Sequence, residues 1–212
     1  MQYHLSELKI ALDPTSPNHI LPPRLLTPGR VLDVGCGAGQ TLLAVYPNRV
    51  TFGLDVDFDA LQFGTTITNN VRFVCAKAEA MPYRSEEFNY VIARVSLAYT
   101  DISASLREIK RVLKPGGQIW MVLHTFSIAR EGRRNDWKGK IFLAYVALNS
   151  AVFHLVQRQF SFCGRYESFQ TERGITRALR RAGFEEIAIT RGDHFVVTAQ
   201  VKPKRQCNGS HT

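Results

Sequence analysis

RVLDVGCGAGQ, residues 30–40, starts as a strand and ends as a bare loop. Val31, Leu32 and Val34 make a short apolar run closed by glycine, the pattern of a strand buried on both faces. Gly35, Gly37 and Gly39 then stand at every second position. Without Cβ atoms they let a ligand approach the main chain and permit positive φ. A helix starting beyond them turns unpaired amides toward that ligand. Asp33 adds an acid at the strand end.

The same alternation continues outward from this stretch. TLLAVYP (41–47) has helical composition and stops at Pro47. VTFGLDVD (50–57) reads as a strand and FDALQFGTTI (58–67) as a helix. VRFVCA (71–76), FNYVIARV (88–95) and QIWMVLHT (118–125) are further strands. DISASLREIKRVLKPGG (101–117) is a helix that Asp101 or Ser103 can cap and that Pro115-Gly116-Gly117 ends. Strand–helix alternation at this spacing predicts right-handed crossovers and a mostly parallel sheet. TERGITRALRRAGF (171–184) reads as a last helix, and residues 185–202 as an antiparallel hairpin turning at Arg191-Gly192-Asp193.

Size and composition fit one ordinary globular domain, with 212 residues, 45% hydrophobic and 21% charged. Cys36, Cys75, Cys163 and Cys207 lie far apart, without metal-ligand spacing or a dense disulfide framework. No secretory core is visible in residues 1–13, so a cytoplasmic protein is expected. The net charge of +9 permits an acidic partner and requires none.

An open parallel sheet binds its ligand beyond the carboxyl ends of its strands. A dinucleotide fits poorly here, because its G-x-G-x-x-G/A fingerprint meets Gln40 where the last small residue should stand. Asp55, at the end of the second strand, can accept from both hydroxyls of an adenosine ribose. Glycine loop and acid together point to an adenosyl ligand.

VLDVGCGAGQ, GLDVD, AKAEAMPYRSEEFNYVIARVSL and LREIKRVLKPGGQIWMV together resemble a class I S-adenosylmethionine-dependent methyltransferase of the small-molecule subgroup. The likeness is strong over residues 28–125 and continues through the hairpin. It implies a seven-stranded Rossmann-like α/β sheet, mostly parallel, with a C-terminal antiparallel hairpin and helices on both faces. It divides the chain into an N-terminal helical or lid segment (1–29), a cofactor-binding core (30–126), an inserted helical lid (127–165), a C-terminal helix and hairpin (166–202) and a tail (203–212). S-Adenosyl-L-methionine is the implied cofactor. By the resemblance, Gly35, Cys36, Gly37 and Gly39 pack on its methionine and ribose, and Asp33 sits near its amino group. Asp55 takes the ribose hydroxyls, Val56 the adenine face, and Ala78 and Glu79 the adenine edge. Arg94 contacts the amino-acid portion or the substrate.

The sequence departs from the family at Lys77, where an Asp is usual, and at Asn89, which follows Phe88 in place of Asp. Val95, Ala98 and Tyr99 replace the His and the Glu-His pair often found after the fourth strand. Tyr99 and His124 are the remaining candidates for contact with the acceptor or its proton, and no metal is expected.

The expected reaction is in-line methyl transfer to a small, partly apolar molecule. Two alternatives stand beside it. One is RNA methylation, suggested by Arg173, Arg177, Arg180 and Arg181 on one side of a helix. The other is a cofactor-binding protein that has lost catalysis. The apolar stretch 141–156 is shorter than the roughly 20 residues of a membrane span. It reads first as a buried helix, then as a substrate-covering lid, and last as an interfacial membrane helix.

Overall fold

The computed structural model describes residues 2–16, 18–123, 137–162 and 166–204. Its centre is a seven-stranded sheet: β1 (Val31–Val34), β2 (Thr51–Asp55), β3 (Val71–Cys75), β4 (Phe88–Arg94), β5 (Leu113–Leu123), β6 (Phe184–Arg191) and β7 (Phe195–Val201). The strand order is β3-β2-β1-β4-β5-β7-β6. β1 to β5 pair in parallel, and β7 is antiparallel to both β5 and β6. The expected Rossmann-like sheet is thus present, hairpin included.

Around it lie α1 (Gln2–Leu12), α2 (Gln40–Val45), α3 (Phe58–Ile67), α4 (Ile102–Val112), α5 (Trp137–Val156) and α6 (Glu172–Ala182). Strand alternation divides β1 between two apolar cores. Leu32 and Val34 enter the larger, with Leu106 and Ile109 of α4 and Leu179 of α6. Val31 enters the smaller, with Leu42 of α2, Tyr90 and Trp120. Asp33 shares the face of Val31 and is just as deeply buried, at 1% exposure.

Local chemistry sets the helix ends. Asp101 caps α4 by accepting from the Ala104 amide at 3.0 Å, and Thr171 caps α6 by accepting from Gly174 at 3.1 Å. Gly183 ends α6 in the left-handed region at φ +92°. α4 stops earlier than Pro115: the ladder of β5 already begins at Leu113, opposite Phe88. Pro115-Gly116-Gly117 falls instead at a register shift within β5.

α5 begins at Trp137, before the apolar stretch, and is not the buried helix that its composition suggests. Its buried residues are Val146, Asn149, Ser150 and Phe153, so two of the four are polar.

Candidate functional site

Beyond β1, β2, β4 and β5 lies a cleft of about 400 Å³, within the range of small-ligand sites. It opens where the connections from β1 and β4 run to opposite sides of the sheet, the expected position for a ligand in such a fold. Gly35, Cys36, Gly37, Asp55 and Arg94 form part of its wall. The sequence had singled out all five.

The glycine loop is folded tightly onto the sheet. Gly35 and Cys36 both donate to the Leu54 carbonyl, at 2.7 and 3.1 Å. Gly35 has φ +75°, and a Cβ there would lie 2.1 Å from that of Ser96. Only glycine meets both demands. Gly39, also left-handed, is the N-cap of α2.

Asp55 clasps this loop. Its Oδ2 accepts from the Gly37 amide at 2.7 Å and its Oδ1 from the Asp57 amide at 2.9 Å. A carboxylate offers about four lone-pair positions, so capacity remains for further donors. Asp33 differs: its Oδ1 has no hydrogen-bond partner. Burial raises its carboxyl to about pH 7; Arg94 opposes that rise and Asp55 adds to it. Asp33 does not itself line the cleft but lies directly behind the bare loop, where a buried acceptor without a donor fits a ligand carrying a cationic amine. The two carboxylates, as acceptors, therefore suit the amino group and ribose hydroxyls of an adenosyl amino acid.

The rest of the wall was not legible as a site in the sequence. α1 supplies His4 and Glu7, the following segment supplies Asn18 and Ile20, and the β6–β7 turn supplies His194. Only a fold that carries α1 and the hairpin over the same strand ends joins them. Glu7 pairs with Arg94, and Gln40 of α2 donates to the His4 carbonyl at 3.3 Å.

Other predicted residues lie outside this wall. Val56 is exposed just beyond β2, and Ala78 is buried. Glu79 accepts from the Asp101 amide at 2.9 Å, holding the start of α4. Lys77 is exposed. Tyr99 ends a 3-10 turn, Leu97–Tyr99, and is 52% exposed. His124 lies outside the described residues. Asn89 accepts from the Arg30 amide and from Lys114, so it fastens the entry to β1.

Residues 32–121 match a family described as a methyltransferase domain. That match covers 90 of the 212 residues, and over this core the chain resembles class I S-adenosylmethionine-dependent methyltransferases. Its cofactor is S-adenosyl-L-methionine. Over 102 residues this methyltransferase domain is 32% identical to an uncharacterized methyltransferase, YcgJ, of Bacillus subtilis, covering 45% of the chain and 40% of that protein. Over 168 residues it is 27% identical to a demethylmenaquinone methyltransferase of Chlorobaculum parvum, covering 74% of the chain and 66% of that relative. The matches thus span from two fifths to just under two thirds of these relatives' length. The methyltransferase fold also recurs in an S-adenosylmethionine-dependent methyltransferase of Mesorhizobium loti, with a TM-score of 0.59 at 18% identity over 81% of this chain and 90% of that one.

Proposed function

We propose that this protein transfers a methyl group from S-adenosylmethionine to a small molecule with an apolar body. One observation carries the reading: a buried, unpartnered Asp33 lies behind the loop that Asp55 clasps through Gly37. When bound, S-adenosylmethionine supplies a methyl group on a positively charged sulfur.

Each residue then has a defined task. Asp33 receives the cofactor's amino group, and Asp55 accepts from its ribose hydroxyls while holding Gly37. Ile20, Val95, Val122, Leu123 and Phe195 give the cleft an apolar side, which keeps water from the reacting centre. Much of the rate gain in such transfers comes from alignment, up to about 7–11 kcal/mol in favourable cases. Where the acceptor must lose a proton, a histidine takes it. His4 and His194 stand in the wall, and His124 directly follows β5. Tyr99 does not line the cleft, so it is assigned no contact with the acceptor there.

The apolar side supports an apolar acceptor, and one relative is named for demethylmenaquinone. RNA methylation draws less support, because the arginines behind it are partly engaged. Arg177 donates to the carbonyls of His154 and Leu155, and Arg181 to that of Val156.

The test is calorimetric titration with S-adenosylhomocysteine, followed by turnover against a panel holding demethylmenaquinone, smaller apolar phenols, polar amines and bulk tRNA. Binding with turnover of the apolar members is the expected result. Turnover of polar amines or tRNA alone overturns the acceptor class. Binding without any product points to a lapsed enzyme, and no binding removes the whole reading.

A further inference from the structure

Helix α5 is built inside out. On its inner side, Asn149 donates to the Glu167 carbonyl at 3.1 Å and accepts from the Phe160 amide at 3.0 Å. Ser150 donates to Val146 and accepts from Phe169. Gln157, just past the helix, donates to the carbonyls of Phe153 and Gly174. These polar groups fasten α5 to the domain.

Its outer side is apolar. Trp137, Ile141, Ala144, Leu148, Ala151 and Leu155 are all exposed. Their steps of four and three residues place them in one stripe along the helix, about 27 Å long. The large members are well out of the protein: Trp137 is 67% exposed, Ile141 56%, Leu148 57% and Leu155 68%. Phe160 and Phe162, which both pack on Tyr145, are exposed as well.

The charges that α5 and the residues following it to Phe162 carry are of one sign. From residue 137 to residue 162 there is no Asp or Glu. Lys138 and Lys140 are exposed at one end of α5, and Arg158 is exposed at the other. Arg177 and Arg181 of α6 reach the last carbonyls of α5 and stand beside that same end. A second copy pressed onto this stripe would set the cations of α5 against one another, and α5 itself carries no acid to offset them. Hydrocarbon under a layer of phosphates satisfies both halves of the pattern.

We infer that α5 is a membrane-surface anchor: its outer stripe docks on an anionic lipid bilayer, with Lys138, Lys140 and Arg158 at the headgroups. The helix is long and apolar enough to cross a membrane by length and composition. Asn149, Ser150 and Phe153 bind it to the domain instead, so it lies along the surface. The inference stands independently of the methyl acceptor.

The two tryptophans make the test direct. Trp120 is buried in the smaller core and Trp137 is exposed, so a blue shift of emission on adding vesicles reports Trp137. The full chain is mixed with phosphatidylcholine vesicles with or without phosphatidylglycerol, and sedimentation is measured in parallel. With phosphatidylglycerol present, the protein is expected to sediment with the vesicles and its emission to shift to the blue. Binding is expected to be at least about tenfold weaker to pure phosphatidylcholine, and to weaken in high salt. The variant Leu148→Gln/Leu155→Gln alters exposed positions only; it is expected to keep its S-adenosylhomocysteine affinity and lose vesicle binding at least about tenfold. Lys138→Gln/Lys140→Gln is expected to lose the preference for phosphatidylglycerol. Absence of vesicle binding, equal binding to both lipids, or variants that bind like the wild type would overturn the inference. So would a blue shift that grows with protein concentration without vesicles, which would make a second copy the occupant.

Discussion

Glu7 of α1 accepts a hydrogen bond from the Arg94 guanidinium at 2.8 Å, joining the first helix to the end of β4 across 87 residues of chain. Both residues face the cleft. Their side chains are only 23% and 16% exposed, so the pair is shielded more than an ordinary surface ion pair. Removing the acid leaves a largely buried guanidinium without its partner, at a cost of about 1–3 kcal/mol. That cost falls on the docking of α1. In Glu7→Ala, backbone hydrogen exchange over residues 2–12 should accelerate, and S-adenosylhomocysteine affinity should fall several-fold while the sheet stays protected. Unchanged exchange in α1 would mean that packing on α2 alone holds it.

Asp55 has two duties, and one substitution tests both. It holds Gly37 and Asp57 by its own acceptors, and in the proposed complex it also takes the ribose hydroxyls. Asp55→Asn keeps one carbonyl acceptor and replaces the other oxygen with a donor facing an amide or a hydroxyl. A lost charge-assisted bond costs about 1.5–3 kcal/mol. Affinity for S-adenosylhomocysteine should therefore fall by about 10- to 100-fold, and thermal stability should fall as well, because the Gly37 or the Asp57 amide loses its acceptor. A variant that binds normally would place the ribose elsewhere.

The parts of the fold legible in the sequence are those where one local rule suffices. β1 to β4 are short apolar runs set off by turn residues, and FDALQFGTTI coincides with α3 because Asp57 caps it by accepting from Ala60. Asp33, the glycines and Asp55 were legible because a bare loop and two strand-end acids are unusual together. The early start of β5 was hidden, since Pro115-Gly116-Gly117 reads as a stop although the ladder resumes around it. α5 misled for a different reason. Composition records how apolar a helix is, and only packing reveals that Asn149 and Ser150 face in while Leu148 and Leu155 face out. His4, Glu7 and His194 had no local signature at all, because their convergence is a product of tertiary structure.

Val95 adopts φ +66°, in the left-handed region, at the point where β4 leaves the sheet. For a β-branched residue this is strained, by about 1–2 kcal/mol. The conformation is held by its amide, which donates to the Val122 carbonyl at 3.0 Å. Functional sites are where such strain collects, and Val95 lines the cleft. Two polar replacements isolate the backbone contribution: Val95→Asn tolerates this region, whereas Val95→Thr keeps the β-branch. In denaturant unfolding the Asn variant should be more stable than the Thr variant by about 1 kcal/mol. Equal stabilities would show that this backbone carries no such strain.

Asp33 should make both stability and cofactor binding depend on pH. Burial lifts its carboxyl from an ordinary 3.8 to about 7 in the folded protein. The folded state therefore holds the proton more tightly than the unfolded chain does. Stability from this group is complete below about pH 4 and falls as pH rises toward 7, by up to about 1.4 kcal/mol per unit, then levels off. Asp33→Asn removes that slope. Binding should run the opposite way, because a cationic amine placed at Oδ1 favours the ionised carboxylate. S-Adenosylhomocysteine affinity should then fall as pH drops below about 7, and near that pH binding should release a fraction of a proton. Calorimetry in two buffers of different ionisation enthalpy measures that fraction directly. If the wild type releases no proton and Asp33→Asn shows the same pH dependence as the wild type, the buried carboxyl does not face the cofactor's amino group.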